Sequence, residues 1–537
     1  MAQASPAPVQ QLTVFLIDKS VTAFPEALML PRSLDAFPLK RAFGDGTLFV
    51  KPNRRKVPKW VGYVTPGVTE DLGSIFTASS SAILILRVRG RLLAVSFGFG
   101  KWLLKPQVIV PDFGLRVTLN AVDPDNLRSV DVKTFQDLTL HTRRQSSKGS
   151  PLESFGLDPM QDILRAVTGE PSDKALAIRL TGADALSVAA RVKLGDLTAL
   201  GAKLIKLFTA KAYRERFEWV DHLRPVKDSE LIDELDAELV HAVNVRDDVA
   251  LQLGPPEPIR WDNVILFRYS TDRTTSFSDL NSADYFLTLR REATLATLKS
   301  HKVSAIRGED DEIEAEWSIY ATCLFESVRR QTRYVLSSGR WYAIKSSLAD
   351  QVKDRLSTLI AGAPTLPNAL DGETEDDYNG RVARDVKGIT QMHKILAKGD
   401  GFGAPIELCD LLTDSDELVH VKVWAKSGTL SHMVAQGLVS AEAYLWEPSY
   451  RKDLSDKAKT EHGTAVARRL AAVPIAKDLT VVYALIIADR PNWPHHLPFF
   501  SQLHLTQAAE RLRRAGFGVS LSRVVREGAS SSATTKN

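Results

Sequence analysis

Two residues of complementary charge, Asp410 and Lys422, fall in adjoining segments near the carboxyl end of the chain. β-Prone apolar runs predict strands at 406–412 and 418–424, joined by a short turn at 413–417. A carboxylate on one strand and an ammonium on the next suit phosphodiester chemistry. The carboxylate oxygens bind a divalent cation, and the ammonium orients water or stabilises charge that develops on phosphorus.

The elements around this pair predict an α/β core. The pattern indicates a helix at 373–386, a strand at 390–396 and, after the two strands above, a helix at 429–438. A further strand at 479–488, a helix at 505–514 and a strand at 519–525 complete the series.

This order, with Asp410 on the second strand and His420-Val421-Lys422 on the third, resembles the restriction-endonuclease-like fold with its PD-(D/E)xK motif. The resemblance implies catalytic roles for Asp410, His420 and Lys422, with Glu375 or Asp376 as the acid of the first helix. It also implies a metal site at Asp410 and His420, occupied by Mg²⁺ or Mn²⁺ in an active enzyme. The accessory polar positions on the following helix would be Ser431 and Gln436.

The motif departs from the family pattern at His420, where an Asp or Glu is expected. Imidazole is a poor magnesium ligand and suits manganese or zinc better. Three explanations stay open: a neighbouring acid (Glu407 or Glu417) takes the role, the cation differs, or catalysis is lost and nucleic-acid binding is retained. A fourth interpretation makes Asp410 and Lys422 a structural ion pair.

Two basic clusters are candidate nucleic-acid contacts, because clustered Lys and Arg supply the sequence-independent part of such binding. Solvated loops are the alternative interpretation of both. Nucleic acid, DNA rather than RNA, is the expected partner, with a homo-oligomer or a second defence protein as further candidates. The clusters comprise Arg54, Arg55 and Lys56, and Arg143, Arg144 and Lys148.

Composition places the chain among ordinary globular proteins. It has 537 residues, 44% hydrophobic and 25% charged, with a formal net charge of +4. Its two cysteines exclude a disulfide framework. No secretory leader and no apolar run of about 20 residues is evident, so we expect a cytoplasmic protein.

We predict a multidomain chain of α+β and α/β type with a boundary at 146–151. Helices are expected at 160–167 and 184–192, and a hairpin that buries aromatic side chains at 334–344. The predicted parts are a β-rich α+β domain at 1–145, a mixed α/β domain at 152–255, an α+β segment at 260–365, a nuclease-like α/β core at 370–526 and a disordered tail at 527–537.

Over its full length the chain resembles sporadically distributed bacterial proteins of unknown function from phage-defence and mobile-element contexts. The segments DILRAVTGEP, YVLSSGRWY, IELCDLL…HVKVWAKSGTLSHMVAQG and LPFFSQLHL carry this resemblance. The leading hypothesis is a defence protein that binds nucleic acid and cleaves it by metal-dependent hydrolysis. The alternatives are a catalytically degenerate nucleic-acid-binding or effector-sensing module, and a scaffold for other proteins.

Overall fold

A computed structural model of the chain describes residues 8–51, 55, 57–58, 61, 64–69, 75–76, 80–135, 139–157, 162–248, 250–259, 261–307, 312–401, 403–424 and 427–527. The chain forms two compact units. The first comprises residues 1–134 and 141–220, and the second comprises 135–140 and 221–537.

The first unit is built on a ten-stranded sheet. Its strands are β1 (Val9–Leu16), β2 (Asp35–Pro38), β3 (Gly46–Lys51), β4 (Ser81–Val88), β5 (Arg91–Gly98), β6 (Val122–Phe135), β7 (Thr139–Ser150), β8 (Asp162–Pro171), β9 (Arg179–Gly182) and β10 (Leu186–Arg191). They lie in the order β2-β3-β4-β5-β1-β10-β9-β8-β6-β7. The helices are α1 (Phe113–Ala121), α2 (Leu197–Thr209) and α3 (Arg214–Phe217).

This sheet differs from the sequence prediction between residues 146 and 192. The predicted boundary at 146–151 lies partly within β7, and β1 pairs with β10 across the whole unit. The predicted helices at 160–167 and 184–192 are strands β8 and β10 where the structure describes them. Alternating burial along β10, with Leu186, Val188 and Ala190 inward, explains the strand.

The second unit begins with two antiparallel sheets and their helices. The elements are β11 (Leu223–Pro225), α4 (Ser229–Asn244), β12 (Leu251–Leu253), β13 (Leu266–Tyr269), β14 (Asp272–Phe277), α5 (Ser282–Thr288), α6 (Leu295–Ser300), β15 (Lys302–Arg307), β16 (Glu312–Ser318), α7 (Ile319–Thr322), β17 (Cys323–Arg329), β18 (Thr332–Ser337), β19 (Arg340–Ile344) and α8 (Ser346–Ile360). One sheet has the order β11-β19-β18-β17-β12 and the other β14-β13-β15-β16. The predicted aromatic hairpin is confirmed as β18 and β19, and it buries Trp341.

The remainder of the second unit holds a mixed sheet around Asp410, where the sequence predicts an α/β core. Its elements are α9 (Glu375–Asp385), β20 (Ile389–Gln391), β21 (Leu396–Ala397), β22 (Ile406–Glu407), β23 (Leu411–Thr413), β24 (Glu417–Val423), α10 (Ser427–Trp446), α11 (Pro448–His462), α12 (Thr464–Ala471), β25 (Thr480–Ile487), α13 (Phe499–Arg514) and β26 (Gly518–Val525). The order is β20-β23-β24-β25-β26. β23 is antiparallel to both β20 and β24, whereas β24, β25 and β26 run parallel.

Helices cover both faces of this sheet. Alternate residues of β25 pack into two hydrophobic cores, one on each face of the sheet. Tyr483 lies in the core on the side of α10 and α13, and Val482 lies in the core on the side of α9. A strand buried on both faces is typical of parallel sheets, and it explains the continuous apolar run TVVYALII. Helices α11 and α12, which the sequence analysis did not predict, follow α10 and add to the first core through Tyr450 and Leu470.

The structure confirms the coarse prediction of a mixed α/β chain, and it contains several antiparallel sheets. Among the helices in the described ranges, none combines the length and apolar character that a membrane span requires.

A buried carboxylate anchors the hairpin to α4 in the second unit. Asp236 on α4 is 1% exposed and accepts hydrogen bonds from Tyr320 Oη at 2.7 Å and Trp341 Nε1 at 2.8 Å. Lys299 Nζ lies 3.4 Å from its other oxygen. The carboxylate therefore has a partner for each oxygen, as a buried charge requires.

We expect Asp236→Ala to lower the free energy of unfolding by about 3–5 kcal/mol, because it leaves a phenol and an indole N–H buried without their acceptor. Urea unfolding followed by circular dichroism measures this. The control is Asp233→Ala on the exposed side of the same helix. Equal midpoints for the two variants would contradict the role assigned to Asp236.

Candidate functional site

The site begins where β23 and β24 separate. The two strands are paired at Leu411↔Val419 and Leu412↔Leu418, and the pairing goes no further towards the end of β24. The next two N–H groups on that edge of β24 belong to Val421 and Val423. Each donates a hydrogen bond to a side chain instead of to a neighbouring strand. Because the two strands separate, these backbone N–H groups have no strand partner, and carboxylates accept their hydrogen bonds.

Asp410, just before β23, supplies the first carboxylate. Its Oδ2 accepts the Val421 N–H at 2.8 Å, and its own N–H donates to the Val419 carbonyl at 2.9 Å. Its backbone carbonyl accepts the N–H groups of Met392 at 2.8 Å and His393 at 3.1 Å. Asp410 therefore joins β24 to the segment that follows β20.

Glu375, the first residue of α9, supplies the second carboxylate. Its Oε1 accepts the Val423 N–H at 3.0 Å, and its Oε2 lies 2.7 Å from Lys422 Nζ. One turn along the same helix, Asn379 donates from Nδ2 to Asp410 Oδ1 at 3.3 Å. Residues four apart share a helix face, so α9 directs both side chains towards the separation of the strands.

His393 lies among three carboxylates. Its Nε2 is 2.7 Å from Asp376 Oδ1, and its Nδ1 is 2.8 Å from Asp410 Oδ1 and 3.1 Å from Glu407 Oε1. Glu407 is held in place by the backbone N–H of Lys394, which has a left-handed backbone with φ +68°. The turn after β20 and strand β22 thus bring an imidazole and a second acid to Asp410.

The Nδ1 atom has the surroundings of a metal ligand. It is buried and lies 2.8 Å from a carboxylate oxygen of Asp410 and 3.1 Å from one of Glu407. Among the described residues, His393, Glu407 and Asp410 are the one group of three or more such side chains whose ligand atoms all lie within 4.8 Å. One imidazole and two carboxylates suit Mn²⁺ or Zn²⁺ better than Mg²⁺.

The electrostatics of the cluster favour a positive charge. Contact with the Asp410 carboxylate raises the pKa of His393 to about 9. Burial raises the pKa of Glu407 above its ordinary value. Without a cation the imidazolium balances the acids, and a bound cation would take its place as the neutralising charge.

His420, predicted as a catalytic residue and metal ligand, is placed differently. Its side chain is 3% exposed and its ring centroid lies 6.2 Å from that of Tyr483, on the side of α10. Burial lowers the pKa of His420 to about 4. Its ligand atoms are not in the group formed by His393, Glu407 and Asp410, so the structure does not bring His420 to that cluster. His420 and Lys422 are two residues apart on β24, so the sequence places both side chains on one face of the strand. Helix packing buries that face at His420.

Other predicted residues lie apart from the cluster or outside the description. Ser431 is in α10, its side chain beyond what the structure describes, and Gln436 is half-buried on the same helix. Arg54 and Lys56 fall outside the described residues, while Arg55 is exposed. Glu417, the other candidate acid, accepts the Thr413 hydroxyl at 2.9 Å at the start of β24.

The second basic cluster belongs to β7 in the first unit, not to a linker. Arg143 pairs with Asp131 at 2.6 Å, and the Arg144 guanidinium donates to the carbonyl groups of Phe155 and Gly156. Lys148 is exposed. Two of the three basic side chains thus make contacts within the fold.

Sequence reasoning missed His393 and Asn379 and proposed Glu407 only as an alternative. The signal for Asn379 was its spacing of four from Glu375 on a predicted helix. His393 carried no local signal, because the backbone contact of Asp410 with the segment after β20 brings it to the site.

Comparison with known proteins places the chain in a family. A family model described as a family of unknown function, DUF6119, matches residues 12–525. The chain belongs to this family. No curated protein and no solved structure matches it. The prediction of an uncharacterised family is therefore confirmed, and the family carries no activity over to the chain.

The charge on His393 gives a pH dependence that can be measured. A pKa raised from 6.5 to about 9 stabilises the fold fully below pH 6.5, and this stabilisation is lost as the pH rises through 9. With EDTA present, we expect the His393 ring resonances, assigned by comparison with His393→Gln, to titrate near pH 9 in NMR spectra. A midpoint near 6.5 would show that the carboxylates do not hold the imidazolium.

Proposed function

We propose that the C-terminal part of the second unit is a divalent-cation-dependent phosphodiesterase that hydrolyses nucleic acid. The observation that carries the proposal is the cluster of His393, Glu407 and Asp410, with an imidazole nitrogen within 3.1 Å of a carboxylate oxygen of each acid. The order of strands and helices supports a PD-(D/E)xK-like core in which Glu407 takes the place expected for His420.

The cation that these ligands fit would lower the pKa of a water molecule and polarise a phosphoryl oxygen. His393, Glu407 and Asp410 would hold it. Attack of water on phosphorus breaks one P–O bond and leaves a phosphate monoester and a hydroxyl group. The remaining steps depend on Lys422 and Glu375.

Lys422 is the candidate for contact with the phosphate. Its side chain is 24% exposed, and Glu375 holds its ammonium at the carboxyl end of β24. An ammonium fixed before the substrate arrives stabilises charge that develops on phosphoryl oxygens without reorganisation during the reaction. Glu375 acts as a positioning residue through this ion pair.

A second candidate function follows from the hydrogen bonds of β24. Asp410 and Glu375 satisfy the N–H groups of Val421 and Val423, a structural role that needs no chemistry. The alternative is therefore a catalytically inactive module that binds nucleic acid. The defence setting rests on the sequence resemblance alone, and plating efficiency of phage on cells with and without the protein tests it.

Metal binding is the first test. We expect wild type to bind one Mn²⁺ per chain by isothermal titration calorimetry at pH 7.5. His393→Gln and Asp410→Asn should weaken it by about 10-fold or more, the lower limit seen even for residues that only support ligands.

Two controls separate this site from general charge effects. Asp414→Asn changes a carboxylate that is 80% exposed beyond β23 and should leave Mn²⁺ affinity unchanged. His420→Gln should also leave it unchanged. No uptake of Mn²⁺ by wild type would contradict the metal site.

Cleavage is the second test. Supercoiled plasmid, single-stranded DNA and single-stranded RNA are incubated with Mn²⁺ or EDTA, and thermal melting is recorded for each protein. We expect cleavage with Mn²⁺, and Lys422→Gln to reduce the rate by about 10²–10³-fold while Mn²⁺ binding and the melting temperature are kept.

The matched control for Lys422 is Lys302→Gln, which breaks the ion pair with Glu316 in another sheet of the same unit. It should cleave at the wild-type rate. A folded Lys422→Gln with full activity would exclude the nuclease assignment. Mn²⁺ binding without cleavage of any substrate would favour the inactive nucleic-acid-binding module.

A further inference from the structure

A second site lies in the same unit, away from the metal cluster. A cavity of about 220 Å³ is bounded by β17 and by the first turn of α13 with the loop before it. Val328 lines the cavity and is 58% exposed, so the cavity opens at the surface of the protein. Phe500 and Leu497 give the cavity apolar walls.

A carboxylate, Glu326 on β17, faces this cavity. Its oxygens accept the backbone N–H groups of Phe499 at 2.7 Å and Phe500 at 3.2 Å, at the start of α13. Arg333 lies 4.0 Å away, and its guanidinium donates to the His495 carbonyl at 2.9 Å. Each Glu326 oxygen keeps a lone pair for another donor, and the nearby arginine makes the site neutral overall.

Other polar atoms of the cavity are without partners in the described structure. Ser501 is 3% exposed and its buried Oγ has no hydrogen-bond partner. Both ring nitrogens of His496 are likewise buried and unpartnered. Buried polar groups are almost always hydrogen-bonded, so three such atoms around one cavity indicate that something polar occupies it.

We propose that this cavity binds a guanine base. Guanine alone among the common bases presents two adjacent donors, N1–H and the exocyclic amine, on one edge, and these match the two oxygens of Glu326. Its O6 and N7 acceptors match the Ser501 hydroxyl, the Arg333 guanidinium and a protonated nitrogen of His496. Phe500 offers an aromatic surface for a planar ring, and overall neutrality favours a neutral base over a phosphate.

The proposal is independent of the nuclease assignment. Calorimetric titration of the full-length protein with guanosine, inosine and adenosine tests it. We expect saturable guanosine binding, inosine about 10- to 100-fold weaker because it lacks the exocyclic amine, and no adenosine binding. Equal affinity for the three nucleosides, or no binding of guanosine, would overturn the proposal and leave a water-filled cavity.

Single-residue variants test whether guanosine binds in this cavity. Glu326→Gln should weaken guanosine by about 10- to 100-fold by removing one of two acceptors, and Ser501→Ala should weaken it by less. Ser440→Ala, a buried serine of α10 whose Oγ donates to the Gly437 carbonyl at 3.4 Å, is the matched control and should bind as wild type. If Glu326→Gln fails to fold, Ser501→Ala and the inosine comparison still decide. A folded Glu326→Gln with wild-type affinity contradicts the proposal.

A final pair of probes distinguishes the two sources of the base. An oligonucleotide with one unpaired guanine is compared with the same strand carrying inosine. Tighter binding of the guanine strand than of free guanosine assigns the cavity to a nucleic-acid chain, and the reverse assigns it to a free nucleoside or nucleotide. Guanosine binding supports the proposal in both cases.

Discussion

The site depends on two backbone N–H groups of β24 that have no strand beside them. Val421 and Val423 point these donors into the gap left where β23 turns away, and a buried N–H without an acceptor is costly. Asp410 and Glu375 meet this requirement from two different elements. The need to satisfy one strand edge therefore fixes two carboxylates at one place, whatever chemistry they perform.

Each carboxylate has a second oxygen, and the two oxygens face different partners. Asp410 Oδ1 meets His393 and Asn379, while Glu375 Oε2 meets Lys422. One oxygen of each side chain thus binds the backbone, and the other contacts side chains. A rigid backbone contact orients each carboxylate, and the free side of each is available to a cation or to the ammonium. Removal of either side chain would therefore leave a backbone N–H without its acceptor, so isosteric amides are more informative variants than alanines.

The sequence predicted the parts of the site that follow from local pattern. Asp410 and Lys422 were found because the order of apolar runs puts them on neighbouring strands, and α9 was indicated by its helical pattern. His393 was missed because its position depends on backbone hydrogen bonds from residues 392 and 393 to Asp410, which no periodicity reveals. His420 was expected beside Lys422 because a period of two shows which residues share a face, but the period does not show where helices bury that face. The helices predicted at 160–167 and 184–192 failed for a related reason, since pairing with distant strands such as β1 overrides local preference.

We propose that His393, Glu407 and Asp410 together bind one divalent cation. Anomalous X-ray diffraction from crystals grown with Mn²⁺ tests this most directly, because the anomalous signal locates manganese without reference to the surrounding atoms. We expect one strong peak in contact with His393 Nδ1 and with a carboxylate oxygen of each acid, and movement of the imidazole by no more than a small rotation. A map with no peak there, with His393 still paired to the carboxylates at saturating Mn²⁺, would contradict it.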